Sequence, residues 1–467
     1  MVLTNQPISA ASAASPRAAL SRSARARAAR RLAATLTSVS GWLIGIGMVV
    51  TVALALHSQS LGSLAAPGGL ATAGGRLTGL VGTYLMLVEL LLIARLPWLE
   101  RTVGHDRLVR WHRLLGPWPI TLLVTHAALI TVGYAAASVG GVVPMAQHLL
   151  LDYPNVLAAT VALGLLVAAG LTSWRVARRR LRHETWWTIH LYVYLAAALA
   201  LAHQVTSGAA FVASPMAKAW WLGMWFGTAG LVLVYRVLLP VWRTARHGLR
   251  VVDVRVESPD TVSVVMRGRG LDRLNVRGGQ FMHWRFLRRG HFWQAHPYSL
   301  SAMPQPPFLR ITVKALGDHS ADLARLPIGT RVWFEGAYGA MTPEVVRGHR
   351  VLLVAGGVGL TPLRALLEDL PSGVHPVVIV RASRAEDVIH RAELEQLVAM
   401  RQGVLHVVTG SRRQVRLDRG ELYRLVPDVA RREVFLCGPD GLVNHLQRVL
   451  RSLGVPETSM HSESFGV

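Results

Sequence analysis

The sequence predicts an α-helical six-span membrane bundle, followed by a small β-barrel domain and an α/β parallel-sheet domain. Three observations carry this. Of 467 residues, 51% are apolar and only 16% charged, too apolar a balance for an ordinary soluble chain. The apolar residues concentrate before Pro240. After it, the pattern turns first to short alternating strands and then to strand, turn and helix in succession.

Six apolar segments are readable, near 39–57, 77–96, 114–134, 155–174, 186–205 and 218–239. Each approaches the ~20 residues a helix needs to cross a bilayer. The net charge of +24 is not spread like a nucleic-acid footprint. Lysine and arginine are missing from 58–75, 135–152 and 206–217, and arginines crowd 17–31, 95–113, 175–182 and 236–250. Charge that alternates loop by loop is the positive-inside pattern. The expected partner is therefore the lipid bilayer, not nucleic acid.

Residues 1–37, rich in Ala, Ser and Arg, read as a basic disordered cytoplasmic arm. Arg30-Arg31 before an apolar run also suits a signal peptide, but no clear cleavage site follows, and a first span is the preferred reading. Six spans after a basic arm place both termini in the cytoplasm of a bacterial-type inner or plasma membrane. The expected boundaries are 1–37 for the arm, 38–240 for the bundle, 241–346 for the barrel and 347–467 for the α/β domain. Cys437 is the one cysteine, which rules out an intrachain disulfide.

Ionisable residues inside a bilayer are costly and usually functional. His112 and His126 bracket the third segment, fourteen residues apart, and His190 and His203 bracket the fifth, thirteen apart. Both segments run the same way through the membrane. His112 therefore lies at the depth of His190, and His126 at that of His203. Imidazole is a common axial ligand of haem iron, so each pair is a candidate clamp for one haem. The separations, about 21 Å and 19.5 Å along the helices, stack two haems through the membrane. The bland alternative is that these histidines hydrogen-bond within a bundle; four at matched depths weigh against it. Fourteen residues return to within about 40° of one helix face, but thirteen miss by about 140°. The fifth helix is therefore expected to carry a bulge or a tightened turn. Arg110, Arg113 and Arg182 on the cytoplasmic side, and Arg76 on the outer side, are candidates to pair with haem propionates.

In the soluble half, "HPYSLS" (296–301) follows a strand. Tyr298 can lie on a flat ring, Ser299 can bond a ring nitrogen, and His296 can reach a phosphate or ribitol. Pro-Tyr-Ser also makes an ordinary turn. "AGGVGLTPL" (355–363) follows the strand "VLLV" and opens a helix. Gly356, Gly357, Gly359 and Thr361 suit a phosphate at a helix N-terminus. The second strand of this sheet ends in "VRASR". An NAD site usually places an acid there; Arg381 and Arg384 suit a 2′-phosphate instead, with Arg412 and Arg413 nearby, so NADPH is favoured over NADH. A solvated basic loop is the alternative. Cys437-Gly438-Pro439 ends a strand at the same edge.

Together, paired histidines on the third and fifth of six spans, "HPYSLS", "GGVGLTP", "CGP" and an aromatic near the C-terminus resemble the NADPH oxidase and ferric reductase family. The soluble half is similar to ferredoxin–NADP reductase modules. The resemblance covers about 38–467. It implies FAD, NADPH and two b-type haems as cofactors, with FMN an alternative flavin. It assigns His112, His126, His190 and His203 to iron. It assigns His296, Pro297, Tyr298, Ser299 and Ser301 to the flavin, and Lys314, Gly317 and Ser320 to a second flavin-binding stretch. Gly356 to Pro362 would hold NADPH phosphates, Cys437 would lie near the nicotinamide, and Phe465 would shield the flavin. Ile130 departs from the oxidases, which often carry a further histidine one turn beyond the outer ligand.

The function this implies is electron transfer from cytoplasmic NADPH, through FAD and two haems, to an acceptor on the outer face. Oxygen, giving superoxide, is favoured by outer loops with almost no charge. The alternatives are ferric-chelate reduction or delivery to a partner redox protein. A further copy or partner subunit stays open. A non-enzymatic rival is a channel or transporter whose histidines relay protons.

Overall fold

A computed structural model describes residues 16–57, 59–181, 183–288, 294–411 and 415–465. Arg182, Arg412, Arg413 and residues 1–15 of the expected arm lie outside them. Six helices are long and apolar enough to cross a membrane: Arg31–His57, Gly69–Leu92, Arg107–Ala136, Val156–Ser173, Thr185–Ser207 and Pro215–His247. We call them the first to sixth spans.

Two features differ from expectation. The first helix already begins at Pro16 and runs to His57, so residues 16–37, expected as a disordered arm, are helical. The alanines, leucines and arginines there are among the strongest helix formers, and the apolar span supplies a nucleus from which the helix extends. The expected irregularity in the fifth span is also missing: His183–Ser207 is α-helical throughout. Irregular backbone occurs elsewhere. The third span is interrupted at Gly116, before Pro117 and Pro119, whose rings cannot donate hydrogen bonds. The sixth carries a π-turn over Val234–Leu238.

The bundle packs the second span on the third and the fourth on the fifth. Its core joins Met86 and Leu87 of the second, Ala196 and Ala197 of the fifth, and Trp221 and Trp225 of the sixth. Small residues let the second and third spans approach closely.

The soluble unit opens with β1 (Arg250–Ser258), β2 (Thr261–Arg267), β3 (Phe281–Phe286), β4 (His296–Ser299), β5 (Phe308–Lys314) and β6 (Val332–Tyr338). They form two antiparallel sheets, β1-β2-β5 and β4-β3-β6. Single bridges, Arg250 to Arg331 and Leu300 to Ile311, join the sheets at both seams, so the six strands follow one another in a ring. Alternate residues such as Val264, Met266, Trp284, Phe286 and Phe334 point inward to one core, as a two-residue repeat requires.

Then come β7 (Arg350–Gly356), β8 (His375–Ala382), β9 (Val404–Thr409), β10 (Glu433–Pro439) and β11 (Met460–Phe465). They make a parallel sheet in the order β11-β10-β7-β8-β9. Both faces are covered. Val351, Leu353 and Ala355 of β7 face one core, and Leu352 and Val354 the other. Strand order reverses between β7 and β10, so the crevice at their carboxyl ends is the topological switch point where such sheets bind ligands.

Candidate functional site

In the bundle, the rings of the two histidine pairs lie close together. The ring centroids of His112 and His190 lie 6.0 Å apart, and those of His126 and His203 lie 6.5 Å apart. An iron bridging two imidazole nitrogens at about 2 Å from each sets the centroids roughly 6 Å apart. Both pairs fit that requirement. Because the fifth span is a regular α-helix, its thirteen-residue spacing is absorbed by side-chain direction rather than by backbone. The interplanar angles differ accordingly, 88° and 54°.

Both third-span rings are held from behind by the second span. His126 Nδ1 donates to the Gly75 carbonyl at 2.7 Å, and His112 Nδ1 faces the Glu89 carboxylate. Gly75 and Glu89 are fourteen residues apart, the spacing of the two histidines on the antiparallel neighbour. Such partners fix the tautomer and leave Nε2 for a metal. On the fifth span, Nδ1 of His190 and of His203 is buried with no hydrogen-bond partner among the described residues. Trp186 stacks on His190 at 5.2 Å. Next to His203, the Gln204 side-chain oxygen accepts from Trp221 and Trp225 of the sixth span, tying the fifth helix in place.

Close approach makes this possible. A Cβ on Gly79 would lie 2.6 Å from His126 Nδ1, and one on Gly75 would lie 2.9 Å from Ile130. Ile130 thus fills the notch at Gly75.

In the barrel, His296 lies parallel to Tyr298 (13°) and stacks on His319 at 3.7 Å. Burial pushes the Tyr298 hydroxyl up from its ordinary range. Ser299 Oγ is buried without a hydrogen-bond partner among the described residues, an orphan that a flavin ring nitrogen would satisfy. Pro297 is exposed between them. Opposite Ser299 on β3 is Phe281. At the end of β6, a Cβ on Gly339 would meet both Phe281 and the Glu463 carboxylate of β11. Glu463 of β11 thus reaches the end of β6, while Phe465 at the tip of β11 packs against the α/β core.

Other expected contacts are already engaged within the chain. Ser301 is fully buried; its hydroxyl accepts from Arg310, and its carbonyl from Arg364. It braces the barrel against the α/β domain instead of facing a cofactor. Lys314, at the end of β5, pairs at 2.9 Å with Asp260 in the turn before the neighbouring β2. Ser320 Oγ accepts from the Leu316 and Gly317 amides, shaping the loop itself.

At the switch point, Gly356 ends β7 and Gly357 turns with φ +56°. A Cβ on Gly359 would lie 2.2 Å from the Cys437 carbonyl, so only glycine lets this loop press on Cys437-Gly438-Pro439 at the end of β10. The Thr361 hydroxyl donates to the Val358 carbonyl, and Pro362 is buried in the first turn of the helix. Arg381 donates to the Gly410 and Ser411 carbonyls, joining the ends of β8 and β9. Arg384 is exposed and pairs with Glu386 and Asp387. Cys437 is buried, and its thiol is pushed well up by burial and then by the charge of Glu463. Glu89, Gly75, Gln204 and Glu463 are the residues the sequence reading missed. Only Glu89 left a signal, as an acid inside an apolar segment.

Comparison with known proteins follows this division. The ferric reductase like transmembrane component matches residues 78–201, an FAD-binding domain 246–341, and an oxidoreductase NAD-binding domain 353–448. In this order the three matches give the ferric reductase/NADPH oxidase architecture. Relatives include an NADPH oxidoreductase of Mycobacterium tuberculosis, 29% identical over 238 residues, 49% of this chain and 62% of that one. The chain thus spans about three fifths of that relative's length. Another is ferredoxin–NADP reductase B of Sorangium cellulosum, 32% identical over 36% of this chain and 77% of its own length. Among solved structures, the flavohem-like FAD/NAD binding domain of a Vibrio cholerae nitric oxide dioxygenase is similar. It has 23% identity, covers 48% of this chain and all of that one, and has a TM-score of 0.39. The chain therefore joins a six-helix region long and apolar enough to cross a membrane to an FAD-binding domain and an oxidoreductase NAD-binding domain.

Proposed function

We propose that the protein carries electrons from cytoplasmic NADPH through FAD to two b-type haems, and on to oxygen at the outer face. The observation that carries this reading is the pair of imidazole clamps, His112 with His190 and His126 with His203, each at the span an iron requires. A flavin, when bound, accepts one hydride, that is two electrons together, and releases the electrons singly.

The residues have separate tasks. Tyr298 and Ser299 would seat the flavin ring, with Phe465 against it and His296 toward its phosphate side. Gly356, Gly357 and Gly359, with Gly438, would admit the dinucleotide phosphates at the switch point. Arg384 and Arg381 would meet the 2′-phosphate, which favours NADPH. The four histidines would hold iron, and the apolar spans keep water from the path. No side-chain acid or base is needed for electron transfer itself.

Outer segments without lysine or arginine suit a small neutral acceptor. Ile130, packed into Gly75, favours the second reading, a ferric chelate reduced at the surface. The test uses the haem- and FAD-loaded chain under anaerobic NADPH. Haem reduction, then reoxidation in air with stoichiometric superoxide, is expected. Slow reoxidation in air but fast reoxidation with ferric chelate would move the assignment to the reductase.

A further inference from the structure

Glu89 is the only acidic residue within the six described spans, and it is buried. Its Oε2 faces Nδ1 of His112, while its Oε1 has no partner among the described residues. A buried carboxylate is costly unless it is paired, so its place here needs a reason. At the other site the equivalent position, fourteen residues away on the same helix, presents only the neutral Gly75 carbonyl to His126. The fifth-span ligands are alike in that Nδ1 of His190 and Nδ1 of His203 lack a described partner. Trp186 stacks on His190 with the Arg178 guanidinium 4.5 Å over the Trp186 ring, a positive charge more distant from its ligand than the Glu89 carboxylate is from His112. The two sites therefore share their ligand type, and the carboxylate behind His112 is the charge in direct contact with a ligand that sets them apart.

We propose that this difference sets the order of the two haem potentials. A carboxylate behind a ligating imidazole raises its basicity and places negative charge near the iron. In a low-dielectric surrounding that charge favours the oxidised, more positive state. The His112–His190 site is thereby held at lower potential than the His126–His203 site. One electron leaves the first site, which is oxidised, and enters the second, which is reduced. Glu89 is thus a positioning and tuning residue, acting through His112, and it makes the outward step downhill.

This inference rests on the haem-binding reading above, and the test separates the two. The full chain is loaded with haem and titrated potentiometrically by its α-band absorbance, with haem content measured alongside. Wild type resolves into two one-electron components. Glu89→Gln raises the lower component by at least a tenfold change in equilibrium, 59 mV for one electron, and leaves the upper one in place. Two bound haems with both potentials unmoved would overturn the proposal. If Glu89→Gln binds one haem, Glu89→Asp decides. Two haems at wild-type potentials support the role of charge; loss of haem in both variants, or an Asp shift as large as that expected of Gln, overturns it. Wild type that binds no haem defeats the haem reading itself.

Discussion

His126 and Gly79 sit so close that a single methyl group cannot fit between them. A Cβ on Gly79 would lie 2.6 Å from His126 Nδ1, the atom that donates to the Gly75 carbonyl. Gly79→Ala is therefore expected to turn the ring from its partner. Loss of such a second contact typically weakens metal binding about 10- to 100-fold. Haem content should fall toward one per chain, while the His112–His190 site keeps its absorbance. Haem assay of the purified variant checks this.

The brace between barrel and α/β domain is acid-sensitive. Arg310 and Arg364 both grip Glu393, and His390 bonds Thr312 beside them. Burial opposes the charge on Glu393, but the hydrogen bonds and charge of Arg310, with Arg364, bring it to about 2. Burial and then the charge of Arg310 lower His390 to about 4, against the pull of Glu257 and Glu393. An unfolded histidine takes its proton near 6.5 and this one only near 4, so stability falls as pH drops through that window. Glu393 adds a second loss from about 4.5 down to 2. The melting temperature of the flavin-loaded chain should drop on the order of several degrees between pH 6.5 and 4. His390→Gln should flatten that interval and leave the lower one.

Cys437 should be inert. Its thiol is buried and held protonated by burial and the charge of Glu463, and the thiolate is the reactive form. A thiol reagent at pH 8 should label less than a tenth of the native chain, and one site per chain after denaturation. Fast native labelling would show that the Gly359 loop opens.

Coenzyme preference should depend on Arg384 more than on Arg381, whose guanidinium already joins β8 to the β9 turn. Arg384→Ala should raise KM for NADPH about tenfold, the scale of one exposed charge-assisted contact, with KM for NADH nearly unchanged. Equal loss for both coenzymes would point to a structural role.

The architecture was legible because its signals are long and periodic. Span length, arginine alternation and strand spacing each extend over many residues. The four histidines stood out because imidazoles are rare in apolar segments and theirs recur at matched depth. What stands behind them was not legible. In a segment apolar all round, periodicity does not reveal which face meets which neighbour, so Gly75 and Gly79 read as ordinary small residues. Ser301 lay in a motif that read as a cofactor contact, but it is buried beside Ser299 and Leu300 and is held by Arg310 and Arg364. The helical stretch from Pro16 was misjudged from composition, since alanine and arginine serve disordered tails and helices alike.

The measurement that tests the central claim most directly is the haem content of the purified, haem-loaded chain and of its histidine variants. The account predicts two b-type haems per chain with a low-spin bis-histidine spectrum. It predicts one haem in His190→Ala and one in His203→Ala, each losing a different component. No bound haem in the wild type, or two retained in both variants, would contradict it.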